Sequence, residues 1–153
     1  MSLAWTCIGC FAATFVSAIV PWVNAEIMVL ALPALASSSS ALALLVVIAT
    51  AGQMTGKLAV YWAGRGSAAC PSPRVARMIA RWEPLCAASP GRAAGLVALS
   101  SAVGIPPFFV MTLVAGALRM DVARFLAAGT CGRLIRFGTL VLVPHVLAGR
   151  PWA

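Results

Sequence analysis

Ser17-Ala18-Ile19-Val20-Pro21-Trp22-Val23-Asn24-Ala25-Glu26 decides how this chain folds. It lies inside residues 3–36, a run whose single formal charge is Glu26. One membrane-spanning helix takes ~20 residues, so the run is too long for one span. Pro21 breaks it in the middle, and Pro33 falls near its end. Two arrangements fit: two spanning helices joined by a very tight turn, or one helix followed by a re-entrant segment that dips in and returns. The second is predicted, because Pro21 to Glu26 is short and apolar for an external loop. Non-helical backbone at depth is tolerated where protein or a water cavity surrounds it. An ionised side chain at that depth costs ~3 kcal/mol or more, which makes Glu26 a functional-site candidate by default.

The composition agrees with a membrane setting. Of 153 residues, 62% are hydrophobic and 9% charged, against about 25% charged in a soluble domain. The mean hydropathy is +1.00. The expectation is an all-α integral membrane protein, one membrane domain over 1–153. The net charge of +8 is a matter of placement. Arg65, Arg74, Arg77, Arg81 and Arg92 fall in one connection between apolar runs. That pattern marks residues 65–92 as cytoplasmic under the positive-inside rule and argues against nucleic acid. The first residues lack the basic start of a cleavable signal peptide.

Ser37 to Ser40 punctuate the chain, and residues 41–64 then read as a spanning helix. Gly52 and Gly56 in it are spaced for close helix approach. Tyr61 and Trp62 near its end suit anchoring at the membrane interface. Residues 72–83 differ: Ser72 caps, Pro73 opens, Pro84 stops. Val75, Met78, Ile79 and Trp82 share one face, and Arg74, Arg77 and Arg81 lie largely on another. This is read as an amphipathic helix on an anionic membrane surface, with a partner-binding helix as the alternative. Residues 93–118 carry no formal charge, and Gly104-Ile105-Pro106-Pro107 breaks them. A straight helix of that length would reach ~39 Å, so a second re-entrant segment is expected. Residues 125–147 make the last span. Broken segments at matching places in two halves point to an inverted-repeat transporter.

Few residues offer chemistry. Glu26, with Asn24 beside it, can bind and release a proton at depth; the alternative is an acid held by backbone groups or arginine. Arg133 and Arg136 lie three apart on one face of the last span. Each needs a carboxylate, a carbonyl cage, water or a phosphate, and Glu26 is the scarce acid available. The alternative is that both reach the interface. Cys7 and Cys10 form a C-x-x-C pair of the kind that a thiol relay or soft-metal carrier uses, with Cys70 and Cys86 as the next thiols in such a relay; the alternative at helical spacing is packing. His145 stands alone near the end of the last span. No nucleophile elbow, P-loop or dinucleotide fingerprint is present. An enzyme is not expected, nor a cofactor or metal.

The pattern Gly52-x-x-x-Gly56-x-x-x-x-Tyr61-Trp62-x-Gly64-Arg65-x-Ser67 resembles a signature of the DedA family, also called the SNARE-associated or VTT-domain superfamily. Ile105-Pro106-Pro107, then Ala115-Gly116-Ala117-Leu118-Arg119-Met120, then Phe125 and Gly132-Arg133, resembles its second signature. Pro21 followed by Glu26 resembles its first re-entrant motif. The order and spacing of the three agree over roughly residues 15–140. The resemblance implies two opposing re-entrant segments in inverted repeats, with an amphipathic helix between them. It also implies lipid movement between leaflets, undecaprenyl phosphate included, with dependence on the proton-motive force and a part in envelope homeostasis. Many members carry arginines where this chain has Val103 and Phe109, and an aspartate where it has Lys57.

The expectation is therefore a DedA-like transporter or scramblase of the inner (plasma) membrane, with Glu26 as its proton-sensitive centre and Arg133 and Arg136 facing the cavity. Its partners would be membrane lipids, anionic or isoprenoid-phosphate lipids among them, and no nucleic acid; a homo-oligomer is left open. Two other classes compete. One is a non-transporting scaffold or assembly factor acting through the amphipathic helix. The other is a thiol or soft-metal carrier using Cys7 and Cys10.

Overall fold

The computed structural model describes residues 3–20, 23–67, 73–87 and 89–147, with the backbone alone at 67, 74, 75, 87 and 144–147. Among them there are eight helices and no strand: α1 (Leu3–Ile19), α2 (Ala25–Leu30), α3 (Leu32–Leu35), α4 (Ser39–Ser67), α5 (Pro73–Ala87), α6 (Pro90–Val103), α7 (Phe108–Ala117) and α8 (Val122–Leu147). Two stretches are long and apolar enough to cross a membrane, Ser39–Gly66 in α4 and Val122–Val143 in α8. The spans predicted at 41–64 and 125–147 fall within these two helices. The chain divides into two compact units, Met1–Gly56 with Leu134–Ala153, and Lys57–Arg133.

In the first unit, α1 and the α2–α3 pair run antiparallel. Residues of α1 between Trp5 and Thr14 and residues of α2–α3 between Met28 and Leu35 line one apolar cleft of about 350 Å³. Asn24 is extended (φ −83°, ψ 108°), and its side chain accepts the Glu26 N–H at 2.8 Å. That cap starts α2 directly after the break. Pro33 enters the first turn of α3, where a missing N–H leaves no helical bond unmade. The first part of α4 lies on α1 backbone to backbone. A Cβ on Gly52 would stand 2.5 Å from Phe11 O, and one on Gly56 2.6 Å from Phe15 O. This is the close approach predicted from their spacing. Val29, Leu45, Ala49 and Phe137 close the core of the unit, all wholly buried.

The second unit repeats the order of helix, break, helix and long helix. Ser89 accepts the Arg92 N–H at 3.2 Å and Pro90 opens α6. Gly104, at φ 85°, ends it in the left-handed conformation that a side chain resists. Pro90 and Ala93 near the start of α6 line one cleft with Leu118 and Met120 after α7, so α6 and α7 also run antiparallel. At 1.5 Å per residue α6 is about 21 Å long and α7 about 15 Å, short of a ~30 Å hydrocarbon layer. α5 packs on both. Gly132 of α8 lies against Ser101 and Ala102 of α6, and the Ser101 hydroxyl donates to Gly129 O at 2.7 Å.

Two boundaries differ from expectation. Residues 72–83 were expected to end at Pro84, but α5 continues through it to Ala87. Proline removes a single helical bond, here to Ala80 O. Both Ala80 and Pro84 are exposed, so that carbonyl remains open to solvent. Arg65, expected just after a helix, lies in the last turn of α4. Pro21, Cys70 and Ser72 lie outside the described residues, as do the side chains of Arg74, Val75 and His145.

Candidate functional site

Ionic side chains gather beside both helix breaks. In the first unit, Glu26 sits in the first turn of α2, where the helix dipole favours an acid. Arg136 of α8 reaches it: Nε donates to Glu26 Oε1 at 2.9 Å, and Nη2 donates to the same oxygen. Both side chains are part-buried. The scarcity of acids pointed to this pairing, since the chain has only Glu26, Glu83 and Asp121.

In the second unit, the counterpart is positive. Lys57 and Arg133 are 5% and 8% exposed, within Coulombic reach of each other. Both stand against Phe108, the first residue of α7 after the second break. Arg133 Cζ lies 4.8 Å from that ring's centroid and Lys57 Nζ 5.8 Å, with Lys57 also 5.0 Å from the Phe109 ring. Aromatic faces attract cations by about 1–2 kcal/mol when water is excluded. Arg133 and Arg136 are thus one helical turn apart yet serve different groups. Lys57 escaped the sequence reading, which treated 41–64 as an ordinary span. Lys57 is the one formal charge in that span, as Glu26 is in residues 3–36.

Tyr61, Gly64, Arg65 and Gly116 form the frame beneath this pair. Tyr61 was expected to anchor at the interface; instead it is wholly buried. Its hydroxyl donates to Met120 O, and its ring lies 5.1 Å from Phe125. The reason is the close approach of α4 and α7, in which a Cβ on Gly64 would stand 2.9 Å from Leu113 Cα. Trp62 remains exposed, with Arg65 over its ring at 5.2 Å. Pro106 and Pro107 shape the break: Ser100 donates to Pro106 O, and Pro107 caps α7.

The remaining predicted residues stand apart from these groups. Arg77 and Arg81 are exposed on α5, Arg81 over Trp82 at 5.6 Å. Cys7 and Cys10 pack half-buried against the core of the first unit, Cys10 Sγ donating to Leu45 O at 3.7 Å. Among the described residues no three His, Cys, Asp or Glu side chains gather to hold a metal.

Compared with known protein families, characterised proteins and solved structures, the chain matches none.

Proposed function

We propose that the chain is a DedA-like multi-pass membrane protein that moves a phosphate-bearing lipid between leaflets with proton coupling. The observation that carries this reading is the ionic group beside each helix break: Glu26 with Arg136 at one, Lys57 with Arg133 at the other. Buried charge in an apolar chain marks an ion or substrate path. Two adjacent cations suit a phosphate headgroup, and guanidinium can grip one bidentately. Glu26 is the group that would take up and release the proton.

The membrane setting is supported by side chains such as Trp5, Ile27 and Ile105, which are 68%, 68% and 74% exposed. Apolar surface of this extent suits lipid better than water. The two antiparallel pairs, each shorter than a bilayer, suit re-entrant hairpins in an inverted repeat. Residues 65–92, with α5, would lie on the cytoplasmic face of the inner membrane.

The test is lipid movement in proteoliposomes, using fluorescent phospholipid and undecaprenyl phosphate probes. Glu26→Gln should abolish movement or its pH dependence, and Lys57→Gln should weaken selection of phosphate-bearing lipid. Movement by both variants at the wild-type rate, with unchanged pH dependence, would overturn the assignment. The exposed arginines of α5 favour a second reading, a scaffold held at the membrane surface. Charge reversal at Arg77 and Arg81 should then destroy function while Glu26→Gln leaves it intact.

A further inference from the structure

The second unit holds a cleft of about 320 Å³ separate from Lys57 and Arg133. Its floor is apolar: Ala93 and Val97 of α6, Met111 and Ala115 of α7. Its mouth carries Arg119 and Arg124, both exposed, and Cys86 of α5 borders it. Among the described residues, none that lines the matching cleft of the first unit is charged. The two hairpins therefore differ in what they can hold, although their backbones follow the same order.

The mouth also contains Asp121, which an anion would meet unfavourably. That carboxylate is engaged, because its Oδ1 accepts the Arg124 N–H at 3.0 Å at the start of α8. Among the described residues, neither the Arg119 nor the Arg124 guanidinium has an ion-pair partner. Arg119 adopts φ 53° in the turn that closes α7, where its own N–H donates to Gly116 O at 3.0 Å. A glycine would fit that turn with less strain.

We infer that this cleft is a binding site for one anionic glycerophospholipid, with its phosphate on Arg119 and Arg124 and an acyl chain against the accessible apolar wall of Pro90, Leu118 and Met120, above the buried floor. Charge complementarity selects the occupant, since two guanidinium groups stand over an apolar groove in a chain read as lying in lipid. Guanidinium matches phosphate geometry, and the groove matches a chain. The site rests on the membrane part of the proposed function and not on transport. It would hold a resident lipid at the cytoplasmic surface.

Cys86 reports occupancy. Burial pushes its thiol above the usual range, so labelling is run at mildly alkaline pH. The full chain, with its other four cysteines changed to serine, is placed in phosphatidylcholine nanodiscs with or without phosphatidylglycerol and exposed to a bimane maleimide analogue. Phosphatidylglycerol should slow labelling of Cys86 in proportion to its content. In Arg119→Gln, Arg124→Gln the apparent affinity should fall roughly tenfold or more, as loss of a charge-assisted contact predicts. Arg119→Lys, Arg124→Lys should retain part of it. Ala93→Phe, which fills the groove and keeps both arginines, should abolish the protection. Equal protection in pure phosphatidylcholine would overturn the inference. So would equal protection by glycerol 3-phosphate alone, or affinity unchanged in the double glutamine variant. Because the readout is labelling and not movement, loss of transport in the proteoliposome test leaves this result independent.

Discussion

Gly116→Ala tests how closely α4 and α7 approach. A Cβ at this position would stand 2.9 Å from Tyr61 C and 3.0 Å from Arg65 N, where ordinary contact begins near 3.4 Å. Tyr61 O lies closer still, so α7 must retreat by about 1 Å or more before ordinary contact is restored. The obstructing atoms are backbone within a helix and cannot turn aside. A gap of ~0.5–1 Å forfeits about a quarter to a half of each dispersion contact along the seam. Overpacking of this kind costs about 1–3 kcal/mol, and alanine's better helix propensity returns up to ~1 kcal/mol. The net expectation is a loss of about 1–2 kcal/mol, or a fall in Tm of roughly 2–8 °C for a chain of this size. Gly138→Ala is the matched control, because a Cβ there meets nothing within 4 Å. It should be neutral or stabilise by about 0.5–1 kcal/mol. The assay is thermal unfolding of the purified protein in detergent, followed by far-UV circular dichroism. If Gly116→Ala melts with or above the wild type, as Gly138→Ala should, the close approach of α4 and α7 is refuted.

Tyr61→Phe removes the hydroxyl that meets Met120 O and should cost about 1–3 kcal/mol in the same assay, since the buried carbonyl loses its donor; an unchanged Tm would remove the bond from the account. Arg119→Gly relieves the φ of 53° and should raise stability by about 1 kcal/mol, while weakening phosphatidylglycerol protection of Cys86; a fall in Tm would mean that the left-handed turn is not strained. Glu26→Gln and Arg136→Gln should be non-additive, with a coupling of about 0.5–3 kcal/mol in a double-mutant cycle. Additive losses would show that the pair does not interact.

The helix breaks were legible because proline and glycine act locally. Pro106, Pro107 and Gly104 end one helix and start the next wherever the rest of the chain goes. The Glu26–Arg136 bond was legible in part, for a different reason: with so few acids, Glu26 was the natural partner for Arg133 or Arg136, but which of the two it meets was not. What the sequence concealed depended on distant partners. Tyr61 has the composition of an interfacial anchor, and its burial rests on Met120, 59 positions away. Lys57 gave a signal that went unused, because one lysine in a convincing span looks incidental until Phe108 and Arg133 lie beside it. The passage of α5 through Pro84 was hidden because a proline's effect depends on whether the carbonyl it orphans is open to solvent, which local pattern does not tell.

Prolines at the second break have a consequence beyond stopping a helix. A bend within hydrocarbon exposes amide hydrogens that find no water, and each left unmatched is costly. Pro106 and Pro107 bring none. Their carbonyls are accounted for as well: Ser100 donates to Pro106 O, and the Val110 and Met111 amides donate to Pro107 O at 2.9 and 3.2 Å. At these two residues the backbone of the bend needs no hydrogen bond from solvent, which suits the proposed re-entrant placement. If the break lies in the membrane as proposed, replacing either proline with alanine would do more than loosen a turn: it would introduce an amide donor with no water to meet it.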